Sequence, residues 1–101
     1  MNGTFGVVRT QSLAVVVTYF PDFAPLLKLL SQLNKETDFI VIDNGTPNIY
    51  KLIESIQVYE RCVEFRQLEE NVGLARALNI GIEKARSLGF EYAFLFDQDS
   101  S

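Results

Sequence analysis

Four short apolar runs alternate with three amphipathic segments along this sequence, and this alternation limits the folds open to it. The runs cover residues 13–18, 39–42, 62–65 and 92–96. Continuous apolar runs of strand length are typical of strands covered on both faces, as in a parallel sheet. The β-α-β-α-β-α-β order therefore predicts an α/β fold whose parallel strands are joined by right-handed crossovers.

The segments between the runs place apolar residues at helical spacing. Asp22 can cap the first helix, Thr46 and Pro47 are predicted to open the second, and Gly89 follows the third as a C-terminal glycine. The first helix is predicted over 23–34 and the third over 74–88. The third helix is predicted to bury one stripe, made of Leu74, Leu78, Ile82 and Ala85.

Length and composition suit one small globular domain over residues 1–101, with residues 1–12 as a flexible leader. The net charge of −4 gives no basic footprint for nucleic acid, and the absence of histidine makes zinc a poor fit. The single Cys62 suits a reducing compartment, as a small core residue rather than a nucleophile. No signal peptide and no bilayer-length apolar run are visible, so we expect a cytoplasmic protein.

Polar residues follow three of the four predicted strands. Thr18 and Tyr19 end the first, Asp43 and Asn44 the second, and Asp97-x-Asp99 the last. The carboxyl ends of parallel strands share one rim, where open α/β sheets bind ligands. Two neighbouring carboxylates favour a hard divalent cation, although aspartates at such positions also serve simply as turn and cap residues.

Two common phosphate-binding solutions are missing from the sequence. The turn after the first strand, 18–22, holds no glycine, which argues against a dinucleotide-binding loop. A Gly-Lys-Ser/Thr phosphate loop is also absent. If the ligand carries phosphates, a metal held by Asp99, with Asp97, would neutralise them.

Four segments of the sequence are informative as a set. They are Val17-Thr18-Tyr19-Phe20-Pro21-Asp22, Val41-Ile42-Asp43-Asn44-Gly45-Thr46, Asn71-x-Gly73-Leu74-Ala75-x-Ala77-x-Asn79-x-Gly81-Ile82 and Phe96-Asp97-Gln98-Asp99-Ser100. Together they resemble an inverting family 2 glycosyltransferase, most closely its bacterial rhamnosyltransferase-like branch, and they cover nearly the whole chain in the order found in that family. The resemblance implies the nucleotide-binding, N-terminal half of the GT-A fold, a three-layer α/β/α arrangement around a mainly parallel sheet.

The resemblance also implies roles for individual residues. The base pocket would be lined by Thr18, Tyr19 and Phe20. Asp43 would bind the base or ribose, and Asn44 would support that loop. Three further residues would lie along the nucleotide and its sugar, namely Asn71, Ala75 and Asn79. Asp97 would face the ribose or the metal, and Asp99 would ligate Mg²⁺ or Mn²⁺ on the diphosphate.

The implied partners are a nucleotide-diphosphate sugar and a glycan or lipid-linked acceptor. We expect the protein to act in the cytoplasm or at the inner face of the membrane. The Asp97-Gln98-Asp99 variant resembles the rhamnosyl branch, so dTDP-rhamnose is the leading donor and a UDP-sugar the alternative. Family members continue past this point with an acceptor-binding half that supplies the general base. We therefore expect the chain to be inactive alone. We also expect it to self-associate through the open edge near Tyr92, Phe94 and Phe96.

Two other functions fit parts of the pattern. Haloacid dehalogenase-like phosphatases also carry Asp-x-Asp after a strand, but after the first strand rather than the last. A non-enzymatic nucleotide-binding or interaction domain, with purely structural carboxylates, is the other alternative. Metal-dependent nucleotide affinity separates that domain from a glycosyltransferase, and phosphatase activity lost on Asp97→Asn would favour the phosphatase.

Overall fold

Seven secondary-structure elements alternate along residues 11–97, the part of the chain that the computed structural model describes. They are β1 (Ser12–Thr18), α1 (Phe23–Glu36), β2 (Asp38–Asp43), α2 (Tyr50–Ile56), β3 (Cys62–Gln67), α3 (Leu74–Ser87) and β4 (Tyr92–Asp97). The predicted order is confirmed. The first strand begins at Ser12, the last residue of the predicted leader, while residues 1–10 lie outside the described part.

The four strands form one sheet in the order β3-β2-β1-β4, and every described pairing is parallel. Chain order runs from β1 through β2 to β3 in one direction, and then crosses back to place β4 on the other side of β1. The two central strands are fully covered, as the continuous apolar runs predicted. The edge strands β3 and β4 are only partly covered.

Helices cover both faces of the sheet, which confirms the three-layer α/β/α architecture. Alternate residues of β1 separate the two cores: Ala14 and Val16 face α1 and α2, whereas Leu13, Val15 and Val17 face α3. Of the helices among residues 11–97, none combines the length and apolar character needed to cross a bilayer.

The third helix buries Ala85 as predicted, but its other buried residues are not those of the predicted stripe. Its buried residues are Ala77, Gly81 and Ala85, whereas Leu74 is 41% exposed. Small residues at this spacing let the helix lie directly against β1, whereas residues 74–76 of its first turn are exposed. The C-terminus follows prediction: Gly89 has φ +85°, and the Gly89 and Phe90 amides donate to the Arg86 and Ala85 carbonyls as in a Schellman motif.

The contact between α3 and β1 predicts that Gly81→Ala destabilises the protein. A Cβ on Gly81 would stand 2.2 Å from Val15 Cγ1, inside a fully buried strand. Overpacking of a tight core costs about 1–3 kcal/mol, more than the about 0.5–1 kcal/mol that alanine gains over glycine in a helix. Urea unfolding should show a net loss, while the exposed control Asn79→Ala on the same helix should show none. Equal or higher stability of Gly81→Ala would contradict this packing.

Candidate nucleotide site at the carboxyl ends of the strands

The polar strand ends meet at one rim of the sheet, as the parallel topology requires. Thr18 of β1 pairs in register with Asp43 of β2, and Val17 pairs with Asp97 of β4. The strand order reverses between β1 and β4, so a crevice opens between their carboxyl ends. Such reversal points are where open α/β sheets bind ligands.

Asp43 is the centre of a buried hydrogen-bond cluster at this rim. Its side chain is fully buried, and three donors converge on it. Oδ1 accepts from the hydroxyls of Thr18 at 2.7 Å and Thr46 at 2.9 Å, and Oδ2 accepts from the Thr46 amide at 2.6 Å. The carboxylate therefore stabilises the ends of β1 and β2 from inside the protein.

Thr46 extends the cluster to two further segments. Its hydroxyl oxygen accepts a hydrogen bond from the Phe20 amide at 2.8 Å, and its carbonyl accepts one from the Gln67 side-chain amide at 2.6 Å.

The predicted starts of the first two helices are confirmed only in part. The prediction that Thr46 and Pro47 open the second helix is wrong, because α2 begins at Tyr50. Asp22 occupies the N-cap position of α1, as predicted, but it makes no side-chain cap bond there.

The loop before α3 is fixed by two asparagines. Asn44 Oδ1 accepts the Val72 amide at 2.9 Å, and Asn71 Oδ1 accepts the Gly73 amide at 2.7 Å. Asn44 is almost completely buried, and its side chain connects the end of β2 to the loop before α3. Gly45, which has φ +98°, lies very close to the loop before α3. A Cβ added to Gly45 would stand 2.8 Å from the Glu70 carbonyl carbon.

A pocket of about 260 Å³ opens beside these strand ends. Five of the nine predicted substrate-binding residues line it, from all three polar strand ends and the loop before α3. The predicted roles of these residues stay predictions, but their convergence at one crevice is a property of the structure. The lining consists of Val17, Thr18, Tyr19, Asn44, Asn71, Gly73, Leu74 and Asp97.

The other four predicted binding residues lie outside this lining. Asp43 lies beneath the rim in its hydrogen-bond cluster, and Phe20 stands beside the pocket with a 60% exposed side chain. Ala75 is exposed in the first turn of α3. Asn79 lines a different groove, one turn further along the helix.

Three residues that line the pocket were not predicted from the sequence, namely Val17, Gly73 and Leu74. Gly73 and Leu74 lie where α3 begins, and no side chain caps that helix. An uncapped N-terminus offers amide donors and the positive end of the helix dipole, so it favours an acceptor or anionic group of a ligand. The hydrogen bonds between Thr46 and Asp43 were also missed, although a threonine three residues after an aspartate is well placed for such local bonds.

A larger groove of about 520 Å³ lies between β3 and α3. It is lined by Asn79 together with Arg66, Arg76, Ile80, Glu83, Lys84 and Ser87. None of these belongs to the strand-end segments, and Lys84 pairs with Glu64 at 2.8 Å. We therefore assign the candidate site to the smaller pocket, where the chemistry of the strand ends converges.

Among residues 11–97, Asp97 is the one carboxylate in the lining of the pocket, so the fit of a divalent cation depends on it. Residues 11–97 contain no cluster of three acidic, cysteine or histidine side chains that could hold a metal by themselves. Magnesium is commonly held by one or two carboxylates plus substrate phosphates and water. Asp97 at the pocket suits that mode, and Asp99, the predicted ligand, lies outside the described residues.

Cys62 lies in β3, away from the pocket. Burial raises the pKa of its thiol from 9.0 to about 11, so the neutral form prevails at physiological pH. A nucleophile would need a lowered pKa. The structure therefore agrees with the prediction that this cysteine is a packing residue.

Two comparisons with known proteins bear on the site. The profile of the family described as Glycosyl transferase family 2 matches residues 15–101. The dTDP-rhamnosyl transferase RfbF of Shigella flexneri is 34% identical over 90 residues. That alignment covers 86% of this chain and 29% of RfbF, so the chain spans less than a third of that protein's length.

Proposed function

Because the chain belongs to glycosyl transferase family 2, we propose that its strand-end pocket binds the nucleotide diphosphate of a sugar donor. The observation that carries the proposal is the convergence of Tyr19, Asn44 and Asp97 at the reversal point between β1 and β4. The protein would then be a nucleotide-sugar-dependent glycosyltransferase, or the donor-binding part of one.

The pocket offers a distinct group to each part of a nucleotide. Tyr19 presents an aromatic ring that is 37% exposed and suits stacking against a base. Asn44 supplies an amide that its bond to Val72 holds in one orientation. The uncapped start of α3 at Gly73 favours an acceptor group, such as a base carbonyl or a phosphate oxygen.

Asp97 and Asp99 would hold Mg²⁺ or Mn²⁺ at the diphosphate. The acidic protein, with a net charge of −4, would otherwise repel an anionic donor. A bound cation supplies charge stabilisation to the departing nucleoside diphosphate. Asp97 lines the pocket, which supports its part in this pair.

The relative favours one donor over others. RfbF is named a dTDP-rhamnosyl transferase, and we propose dTDP-rhamnose as the donor here, with a UDP-sugar as the alternative. We further propose transfer with inversion to a glycan or lipid-linked acceptor, with the acceptor site and the general base outside these 101 residues. Glycosyl transfer by the isolated chain would contradict that division.

Calorimetric titration with dTDP and UDP, with and without Mn²⁺, tests the proposal. We expect metal-dependent binding, tighter for dTDP, that is lost in Asp99→Ala. The control Glu91→Ala, at the opposite end of β4, should bind like the unmodified chain. Failure of both nucleotides to bind would contradict the nucleotide site, and equal binding without metal or in Asp99→Ala would contradict the metal.

A further inference from the structure

We infer that Thr46 is a positioning residue, which holds the Tyr19–Phe20 turn against the strand-end pocket so that Tyr19 is set to receive a base. The inference rests on the proposed function, because it assigns a consequence for nucleotide binding. Thr46 does not line the pocket itself, so it acts through the turn that it holds.

Four hydrogen bonds place Thr46 between the ends of three strands. Its amide and hydroxyl both donate to Asp43, its hydroxyl oxygen accepts from the Phe20 amide, and its carbonyl accepts from Gln67. Because the single hydroxyl hydrogen is committed to Asp43, a lone pair of the oxygen is left to accept the Phe20 amide. The side chain is 7% exposed, so water has little access to replace these contacts.

The bond to Phe20 matters because Phe20 has an unfavourable backbone conformation. Its φ is +48°, in the left-handed region that residues other than glycine seldom adopt. Such a residue persists only where its surroundings fix it. Among the described residues, the Thr46 hydroxyl is the group that binds its amide.

Tyr19 depends on this turn directly. The Tyr19 and Phe20 rings meet edge to face with centroids 4.8 Å apart, so a change in Phe20 carries the Tyr19 ring with it. Tyr19 lines the pocket. Loss of the Thr46 hydroxyl should therefore disturb the aromatic wall of the pocket and weaken nucleotide binding.

Two substitutions at Thr46 separate its hydroxyl from its shape. Thr46→Val keeps the branched shape and removes the hydroxyl, whereas Thr46→Ser keeps the hydroxyl. Thr46→Val removes two hydrogen bonds, the one to Asp43 and the one from the Phe20 amide. In calorimetric titration with dTDP and Mn²⁺, we expect Thr46→Val to raise Kd about five- to tenfold, because the turn that carries Tyr19 loses its anchor. Thr46→Ser should stay within about twofold of the unmodified chain.

Thr37→Val provides a matched control. Thr37 is also buried, and its hydroxyl donates to the Ser12 carbonyl at 3.0 Å at the opposite end of the sheet. The substitution should cost stability without affecting nucleotide affinity. Equal weakening by Thr37→Val and Thr46→Val would show a general effect of destabilisation and overturn the inference.

Hydrogen exchange of the Phe20 amide tests the contact without a ligand. We expect protection in the unmodified chain and in Thr46→Ser, and fast exchange in Thr46→Val. Unchanged protection in Thr46→Val would overturn the inference. If dTDP fails to bind the unmodified chain, the proposed function fails and the claimed effect on binding falls with it, while exchange at Phe20 still shows whether Thr46 holds the turn.

Discussion

Replacing Asp43 with alanine is expected to lower the free energy of unfolding by about 3 to 5 kcal/mol, since it removes the shared acceptor of a buried cluster. The Thr18 hydroxyl, the Thr46 hydroxyl and the Thr46 amide would each lose a bond of 2.6–2.9 Å. A buried donor without a partner costs about 1–3 kcal/mol. Because small domains are stable by only about 5–15 kcal/mol, the variant should be close to unfolding.

Urea unfolding followed by circular dichroism measures this effect. Asp22→Asn is the matched control, because Asp22 is exposed and makes no side-chain cap bond. Its midpoint should coincide with that of the unmodified chain. Thr18→Val removes one of the three donors and should lose about 1 kcal/mol. An Asp43→Ala variant as stable as Asp22→Asn would show that the cluster contributes nothing.

Gly45→Ala is expected to destabilise the protein by about 3 kcal/mol or more and to distort the pocket, because two costs add. The residue has φ +98°, a conformation in which a side chain is strained. The three nearest neighbours of an added Cβ are all backbone atoms of Glu70 and Asn71, at 2.8–3.0 Å. Backbone cannot rotate away as a side chain can, so the loop before α3 must move.

Gly89→Ala separates the two costs. Gly89 has a similar φ of +85°, but an added Cβ would meet nothing within 4 Å. It should therefore show the cost of the backbone conformation alone, about 1–2 kcal/mol. Only Gly45→Ala should also weaken dTDP binding, because the neighbouring loop that it would displace carries Asn71 of the pocket lining. Equal losses of stability in the two variants would contradict the close approach at Gly45.

The central strands β1 and β2 could be predicted because they are buried on both faces. Runs such as 13–18 contain no polar residue before their ends, and the structure covers them with helices on each side. Strand order was not predictable from these runs, since each central strand shows the same continuous pattern. It depends on where each crossover packs, which local composition does not encode.

Errors in the helices came from tertiary contacts that override local patterns. Leu74 has the right spacing for the buried face of α3, but the first turn of the helix is exposed. Glycine has a low helix propensity, yet the missing side chain of Gly81 allows close contact with Val15. Thr46 resembled a helix start, but its bonds to Asp43 keep it in the loop and α2 begins at Tyr50.

The site was predictable at the level of segments and less so at the level of side chains. Polar residues at strand ends had to share a rim once the sheet was parallel, and Thr18, Asn44 and Asp97 do line one pocket. Whether a side chain faces the ligand or the interior depends on contacts across segments. Asp43 shows this, because its partners are two threonines on either side of it in sequence.

Whether dTDP binds at the carboxyl ends of the strands can be measured by the changes it causes in backbone amide chemical shifts in the presence of Mg²⁺. We expect the largest changes at Tyr19, Asn44 and Gly73, around the strand-end pocket. Changes concentrated at Arg76 and Ile80 would move the site to the groove between β3 and α3. That result, or no change at millimolar dTDP, would contradict a nucleotide site at the carboxyl ends of the strands.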